Sequence, residues 1–411
     1  MSAKDGTGPL VGMRVIDLSH VMAGPVCGLM LADMGADVIK VEKADGGDDS
    51  RHMLPPDING EAAAFMMMNR NKRGIALDLK HDKGKEILKR LAATADVLIE
   101  NYRHGTMQRL GLGYDLLKAI NPGLIYCEIS GFGASGPFAG HGGFDLVAQA
   151  MSGLMAITGE GPGRPPVKVG APLTDITAGI IAAMGVCAAY AHKLKTGEGQ
   201  RVDTSLFEAG IVHTYWQSAI CFATGVSPGP LGSAHPLSAP YQAFETADGW
   251  IVVGGSNQAN WERMVKVMNA EELASDPRYK DNKGRMTHQP ALLEQLSPRF
   301  KQKTSGEWLA LFEGAGVPAG PVLSIKEMLH HPQTRARSMV PRVQHPVAGE
   351  VQTVGLPVKF SATPGEVARA APLFGQHTRE ILAELGYRPA EIDHFIAVGA
   401  VKAGTALAAA E

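Results

Sequence analysis

MRVIDLSHVMAGPVCGLMLADMGADVIKVE, residues 13–42, is the stretch from which the fold class is read. Its opening MRVIDL is a compact apolar strand. PVCGLMLADMG (25–35) has apolar residues at helical spacing and a closing glycine, and ADVIKVE (36–42) is a second strand. The alternation then recurs: GKEILKRLAATA (84–95) is amphipathic, DVLIEN (96–101) a strand, YDLLKAI (114–120) a short helix and LIYCEIS (124–130) another strand. Strands rich in Val and Ile that alternate with helices predict an α/β fold, a doubly wound parallel sheet covered on both faces.

The texture changes after about residue 225, where SPGPLGSAHPLSAP is dense in Pro, Gly and Ser. YQAFETADGWIVVGG follows, with Asp248-Gly249 between two strand-like runs, a signal for a β-hairpin. ANWERMVKVM (259–268), ALLEQLSPRF (291–300) and a helix opening on the capping-box spacing Thr304 to Glu307 complete a smaller α+β unit. The expected organisation is a large α/β domain from residues 1–225 and 326–411, with a small α+β domain inserted at 226–325. Pro-rich segments from about Pro321 lead to a last helix around HTREILAELG.

A length of 411 residues suits about two or three domains. The net charge of −2 offers no excess of cations to neutralise a nucleic-acid backbone, which argues against nucleic acid as a partner. MSAKDGTG at the start has neither the basic and apolar regions of an export signal nor an Arg-rich presequence, so a cytoplasmic protein is expected. The longest stretch of low polarity, Ala178 to Ala191, falls short of the roughly 20 residues of a membrane span and reads as a buried helix. Cys27, Cys127, Cys187 and Cys221 are scattered without a C-x-x-C pair, so neither a disulfide framework nor a metal site is expected.

An open parallel sheet binds ligands beyond the carboxyl ends of its strands. The segments there are SHVMAGP, KADGGDDSR, NYRHG and GFGASGPFAGHGGFD. A nicotinamide dehydrogenase needs G-x-G-x-x-G after the first strand, and only Gly24 and Gly28 occur there. Cations gather instead at Lys43, Arg51, Arg70, Lys72, Arg73, Lys80, Arg103 and Arg109, a set suited to a phosphorylated small molecule; NRNKRG (69–74) stands out as three cations in a loop. Downstream, GAPLTDITAGIIAAMG places Asp175 at the entrance of an almost wholly apolar helix. Asp175 is either an N-cap or a nucleophile held ionised by the helix start.

The chain resembles the class III CoA-transferases over nearly its whole length. The resemblance rests on PLVGMRVIDLSHVMAGP, GADVIKVEKADGGDDSR, MNRNKRGIALDLK, ADVLIENYRHGTMQRLGLGYD, GFDLVAQAMSGLMAITG, GAPLTDITAG, KTGEGQRVDTSL, APYQAFETADGWIVVGG, LFEGAGVPAGPV and APLFGQHTREIL. It implies that Asp175 is the family's nucleophile, forming a mixed anhydride and then an aspartyl-CoA thioester. It also implies a homodimer of interlinked ring-like subunits and no permanently bound cofactor, coenzyme A or acyl-CoA being substrate. The implied CoA contacts are Val21, Met22 and Ala23 at the thioester end, Lys43 and Arg109 near the phosphates, and Leu77 to Lys80 at the adenine. Asn101, Tyr102 and Arg103 border the pantetheine path, with Phe144 and Asp145 nearby.

The sequence departs from the formyl-CoA branch at Met22, where that branch has Gln, and at Lys43, which replaces an Arg. The stretch LGSAHPLSAPYQAFETADGWIVVGG is more similar to the succinyl-CoA:glutarate branch, which implies succinyl-CoA as donor and a small dicarboxylate as acceptor. Arg103, His235 and the amides of the glycine run are candidates for its far carboxylate. Two alternatives accompany this reading. An α-methylacyl-CoA racemase has a His-Asp pair where this chain has Phe144-Asp145, and Phe cannot shuttle a proton; His141 is the nearest substitute. A non-catalytic CoA-binding module would bind acyl-CoA and leave Asp175 unmodified.

Overall fold

The computed structural model describes residues 7–404, which form two compact units. The first runs up to Ser152, continues over Val169–His213 and resumes from Pro332; the second comprises Gly153–Lys168 and Thr214–His331. The breaks expected at 225/226 and 325/326 both fall inside the second unit, which also takes in residues 153–168.

In the first unit the opening stretch folds as β1 (Arg14–Asp17), α1 (Ala23–Asp33) and β2 (Asp37–Lys43). There follow β3 (Lys72–Leu77), α2 (Asp82–Thr94), β4 (Val97–Glu100), β5 (Ile125–Ser130), α3 (Asp145–Met151), α4 (Leu173–Thr196), β6 (Arg201–Ser205) and α5 (Leu206–Val212). The chain end adds α6 (Thr378–Glu384), α7 (Pro389–Ala397) and β7 (Val401–Lys402). The expectation stopped at α6. β7 pairs Val401 with Leu77, antiparallel, and closes one edge of a seven-stranded sheet of order β7-β3-β2-β1-β4-β5-β6 whose other pairings are parallel.

Because side chains alternate along a strand, neighbouring residues of β1 enter different cores. Ile16 packs with Ile39, Leu98, Ile87 and Leu91 of α2, Ile381 of α6 and Phe395 of α7. Val15 packs with Val38, Val97, Ile125, Cys27 of α1 and Ala182 and Val186 of α4. Both faces of the sheet are thus covered by helices, as a doubly wound fold requires.

The helix α4 spans 24 residues, more than the apolar stretch suggested, and by length and composition it could cross a bilayer. Its buried residues Ala178, Ala182, Val186 and Ala189 belong instead to the core shared with α1 and the sheet. A Cβ added to Gly179 would lie 2.5 Å from the Ala23 carbonyl oxygen, so glycine there lets α4 approach the start of α1. Asp175, one turn earlier on α4, is thereby brought towards the loop after β1.

In the second unit, Tyr241–Glu245 and Trp250–Gly254 form the hairpin signalled by Asp248-Gly249, and Ala319–Pro321 adds a third antiparallel strand. Phe244, Ile251, Trp261, Leu296, Phe300 and Phe312 make its core. Helices span Gln258–Val267 and Gln289–Phe300, and the capping box of Thr304 and Glu307 opens Ser305–Gly314.

Candidate active site

The strand order reverses between β1 and β4, so the loops leaving these strands part to opposite sides and open a crevice at their carboxyl ends. A cavity of about 450 Å³ occupies that region. His20, Val21, Met22 and Ala23 enter from beyond β1, Lys43 and Asp49 from the end of β2, and Asn101, Tyr102, Arg103 and His104 from beyond β4. The end of β5 supplies Ile129, Ser130 and Gly131, the glycine-rich stretch Ala139 and residues 141–144, and Asp175 and Leu206 complete the wall. A Cβ on Gly131 would meet the Cα of Gly143 at 2.6 Å, so only glycines let the two ends of this loop touch.

Asp175 is the third residue of α4, and Pro172 occupies the N-cap without a side-chain bond. The capping reading is therefore incorrect. Asp145 does that work from α3: its Oδ1 accepts the Thr174 N–H at 2.9 Å and the Thr174 hydroxyl at 2.7 Å, and its Oδ2 accepts Gln149 Nε2 at 2.7 Å. The Asp175 carboxylate has no hydrogen bond or ion pair among the described residues. Burial, and then the charge of Asp145, push its pKa up to about 6, the opposite direction to a carboxylate stabilised by the helix start. Such a group is still ionised near neutral pH and keeps its lone pairs uncommitted, which favours nucleophilic attack.

The loop after β1 has an unusual backbone. Val21 has φ 63°, a region that a β-branched residue rarely adopts. Beneath the loop lies a fully buried set of charges, Asp17, Lys40, Asp48 and Lys72. Lys72 Nζ reaches Asp17 Oδ2 at 2.8 Å, and Lys40 Nζ reaches Asp48 Oδ2 at 2.8 Å. Burial by itself would raise the Asp48 carboxyl, but Lys40 and the Ser50 donors hold it well below the ordinary range. Burial and the Lys40 charge both lower the His20 imidazole pKa, which leaves that ring neutral.

Of the expected site residues, Val21, Met22, Ala23, Lys43, Asn101, Tyr102, Arg103, Phe144 and Asp175 are brought together in the cavity wall. Leu77, Lys80, Arg109 and Asp145 are not in it. Leu77 is 1% exposed, packed in the core, and its carbonyl accepts the Ala44 N–H. Lys80 is exposed; Arg109 turns back on Thr106, with Nη2 to Oγ1 at 2.8 Å. His141 lines the cavity with its ring 4.8 Å from that of Phe138, whereas His235 lies in the second unit, stacked on Tyr241 with its Nδ1 accepting the Leu237 N–H.

The cations of NRNKRG are paired with carboxylates of this chain. Arg70 pairs with Asp33, Lys72 with Asp17, and Arg73 with Asp37, Glu380 and Glu384; Lys72 and Arg73 lie in β3, not in a loop. Arg51 is committed to Glu42 at 2.7 Å. Lys43, 2.5 Å from Asp49, and Arg103, which has no ion-pair partner among the described residues, remain in the cavity. His20, His104 and Asp49 were not singled out as site residues; their positions within SHVMAGP, NYRHG and KADGGDDSR, directly after strands, were the available signal.

Residues 10–378 match the model of CoA-transferase family III. The chain is 39% identical over 394 residues to the succinyl-CoA:glutarate CoA-transferase of Homo sapiens, covering 96% of this chain and 90% of that one. It is 38% identical over 356 residues to the acetyl-CoA:oxalate CoA-transferase of Acetobacter aceti, covering 86% and 90%. A crystal structure of a CaiB/BaiF-family protein from Brucella suis superposes with a TM-score of 0.82 at 38% identity, covering 92% of this chain and all of that one.

Proposed function

The chain belongs to CoA-transferase family III, and from that premise we propose that it transfers coenzyme A reversibly from succinyl-CoA to a small dicarboxylate, with Asp175 as the covalent carrier. The observation that carries this reading is the unpaired, half-buried carboxylate of Asp175 in the wall of a cavity at the sheet's switch point.

Asp175 attacks the thioester carbonyl; a C–O bond forms, the C–S bond breaks, and CoA leaves as thiolate. The thiolate attacks the aspartyl side of the anhydride, which frees succinate and leaves an aspartyl-CoA thioester. The acceptor carboxylate displaces the thiolate from that thioester, and the thiolate then takes the acceptor's acyl group and restores Asp175. No proton or electron is gained or lost. Water would hydrolyse both intermediates, and the apolar wall of Met22, Ala23, Ile129 and Leu206 supports its exclusion. Lys43 and Arg103 are the cavity cations suited to the phosphates of CoA. The assembly proposed is a cytoplasmic homodimer, for which Ile180, Met184 and Leu194 on α4, each about half-exposed or more, offer apolar contact surface.

Two outcomes follow. The rate of Asp175 acylation by succinyl-CoA should fall about tenfold for each pH unit below about 6, because protonation removes the nucleophile. In D145N the break moves to lower pH, since one cause of the raised pKa is gone; a flat profile from about pH 5 to about pH 7 contradicts the assignment. Acceptors of four to six carbons with two carboxylates should exceed monocarboxylates by about tenfold or more in kcat/KM, because donors for the distal group go unsatisfied otherwise. His104 and His141 are the cavity donors for it, Arg103 being assigned to the phosphates, and Met22 supports a low rate with oxalate. A screen of glutarate, malate, mesaconate, oxalate, carnitine and acetate against succinyl-CoA tests this; equal rates with acetate and glutarate contradict the acceptor assignment.

A further inference from the structure

We propose that Asp48 is a positioning residue for the transfer: anchored on Lys40, it holds Val21 in the left-handed backbone region and so sets the start of α1 in the cavity that contains Asp175. The proposal rests on the reading of Asp175 as carrier. A β-branched residue at φ 63° persists only where its surroundings over-determine it, and such positions cluster at functional sites. Here side chains from other segments take four of the backbone polar groups around it. The His20 N–H donates to Asn101 Oδ1 at 2.8 Å, Asn101 Nδ2 donates to the His20 carbonyl at 2.9 Å, and Lys40 Nζ donates to the Ser19 carbonyl. The Val21 N–H itself donates to Asp48 Oδ1 at 3.1 Å.

Asp48 is in turn immobilised. It is fully buried; Oδ1 also accepts the Ser50 N–H at 2.9 Å and the Ser50 hydroxyl at 2.7 Å, and the Asp48 N–H donates to Glu42 Oε2 at 2.9 Å. Immediately after Val21, the Met22 carbonyl accepts the Val26 N–H at 2.8 Å and starts α1. The Ala23 and Gly24 amides, in the first turn, have no intrahelical partner and no other acceptor among the described residues. Met22 and Ala23 share the cavity wall with Asp175. Charge that develops on a reacting thioester is best met by donors fixed beforehand, so a loop that relaxes lowers turnover more than it lowers binding.

The test is a cycle of wild type, D48A, V21G and D48A/V21G, read as kcat and KM for succinyl-CoA per folded protein, together with the hydroxamate formed at Asp175 when hydroxylamine is present. D48A should lower kcat by about tenfold or more with KM for succinyl-CoA changed less than about threefold. Glycine adopts positive φ without strain, so in the V21G background the effect of D48A should shrink by about threefold or more. A kcat for D48A within about twofold of wild type, or additive effects, overturns the proposal, because Asp48 then only neutralises Lys40. If D48A does not fold, S50A takes its place: it loosens Asp48, leaves the Lys40 pair whole, and faces the same test of additivity. Wild-type protein that gives no hydroxamate at Asp175 refutes the carrier reading instead, so the two failures are distinguishable.

Discussion

Replacing Asp175 by Asn should lower the rate of CoA transfer at least about 10⁴-fold while acyl-CoA still binds, since removal of a covalent nucleophile is among the most damaging single changes to an enzyme. Asn keeps the size of the side chain and loses the anionic oxygen that must attack. The helix should survive the change, because Asp175 caps nothing: Asp145 satisfies the Thr174 amide, and the N-cap is Pro172. Binding should also survive, because Lys43 and Arg103 reach the cavity from the ends of β2 and β4, not from α4. The measurement is steady-state transfer from succinyl-CoA to glutarate beside equilibrium binding of CoA. Folded D175N that keeps more than about one per cent of wild-type turnover would remove Asp175 from the mechanism.

Lys72→Met should destabilise the protein by about 3–5 kcal/mol, the usual cost of breaking one side of a buried ion pair. Lys72 is fully buried in β3, and its Nζ contacts Asp17 Oδ2 at 2.8 Å, the Pro25 carbonyl at 2.9 Å and Asn69 Oδ1 at 3.0 Å. Burial tends to raise the Asp17 carboxyl, yet Lys72 and then Lys40 hold it below the ordinary range, so the residue is charged. Without Lys72, Asp17 keeps Ser19 and the more distant charge of Lys40, and the carbonyl of Pro25 loses a donor. Replacing Asp17 as well, by Leu, should recover much of the loss, because two apolar side chains leave no unpaired charge. Urea unfolding of both variants reads the difference; a K72M loss below about 1 kcal/mol would mean that the pair is already solvated.

These same side chains mark where the sequence could and could not be read. The segment 13–42 was legible because β1, α1 and β2 bury Val15, Leu31 and Val38 on periodicities of two and 3.6, and periodicity is local. Asp175 stood out for a local reason too, a lone carboxylate opening a long apolar helix. NRNKRG was misread because a cation's role depends on its partner, and Glu384 is 311 positions from Arg73. β7 escaped notice since two residues carry no period and their strand character comes from pairing with Leu77 and Ala76. In the same way, KADGGDDSR stood out only as a segment beyond a strand, and nothing local marked Asp48 as the residue under Val21, fully buried against a lysine from β2. The Gly- and Pro-rich residues 153–168 gave no period by which to assign them to the second unit.

The central claim is that Asp175 carries CoA covalently, and one measurement reaches it directly. The protein is incubated with succinyl-CoA and hydroxylamine, without acceptor, and digested for peptide mass spectrometry. Both intermediates are activated acyl groups at the aspartyl carbon, so hydroxylamine should convert them to a hydroxamate on the peptide that contains Asp175, dependent on succinyl-CoA and absent from D175N. An unmodified Asp175 under conditions in which wild-type protein exchanges labelled succinate into succinyl-CoA, or a hydroxamate on a different carboxylate, would contradict the account.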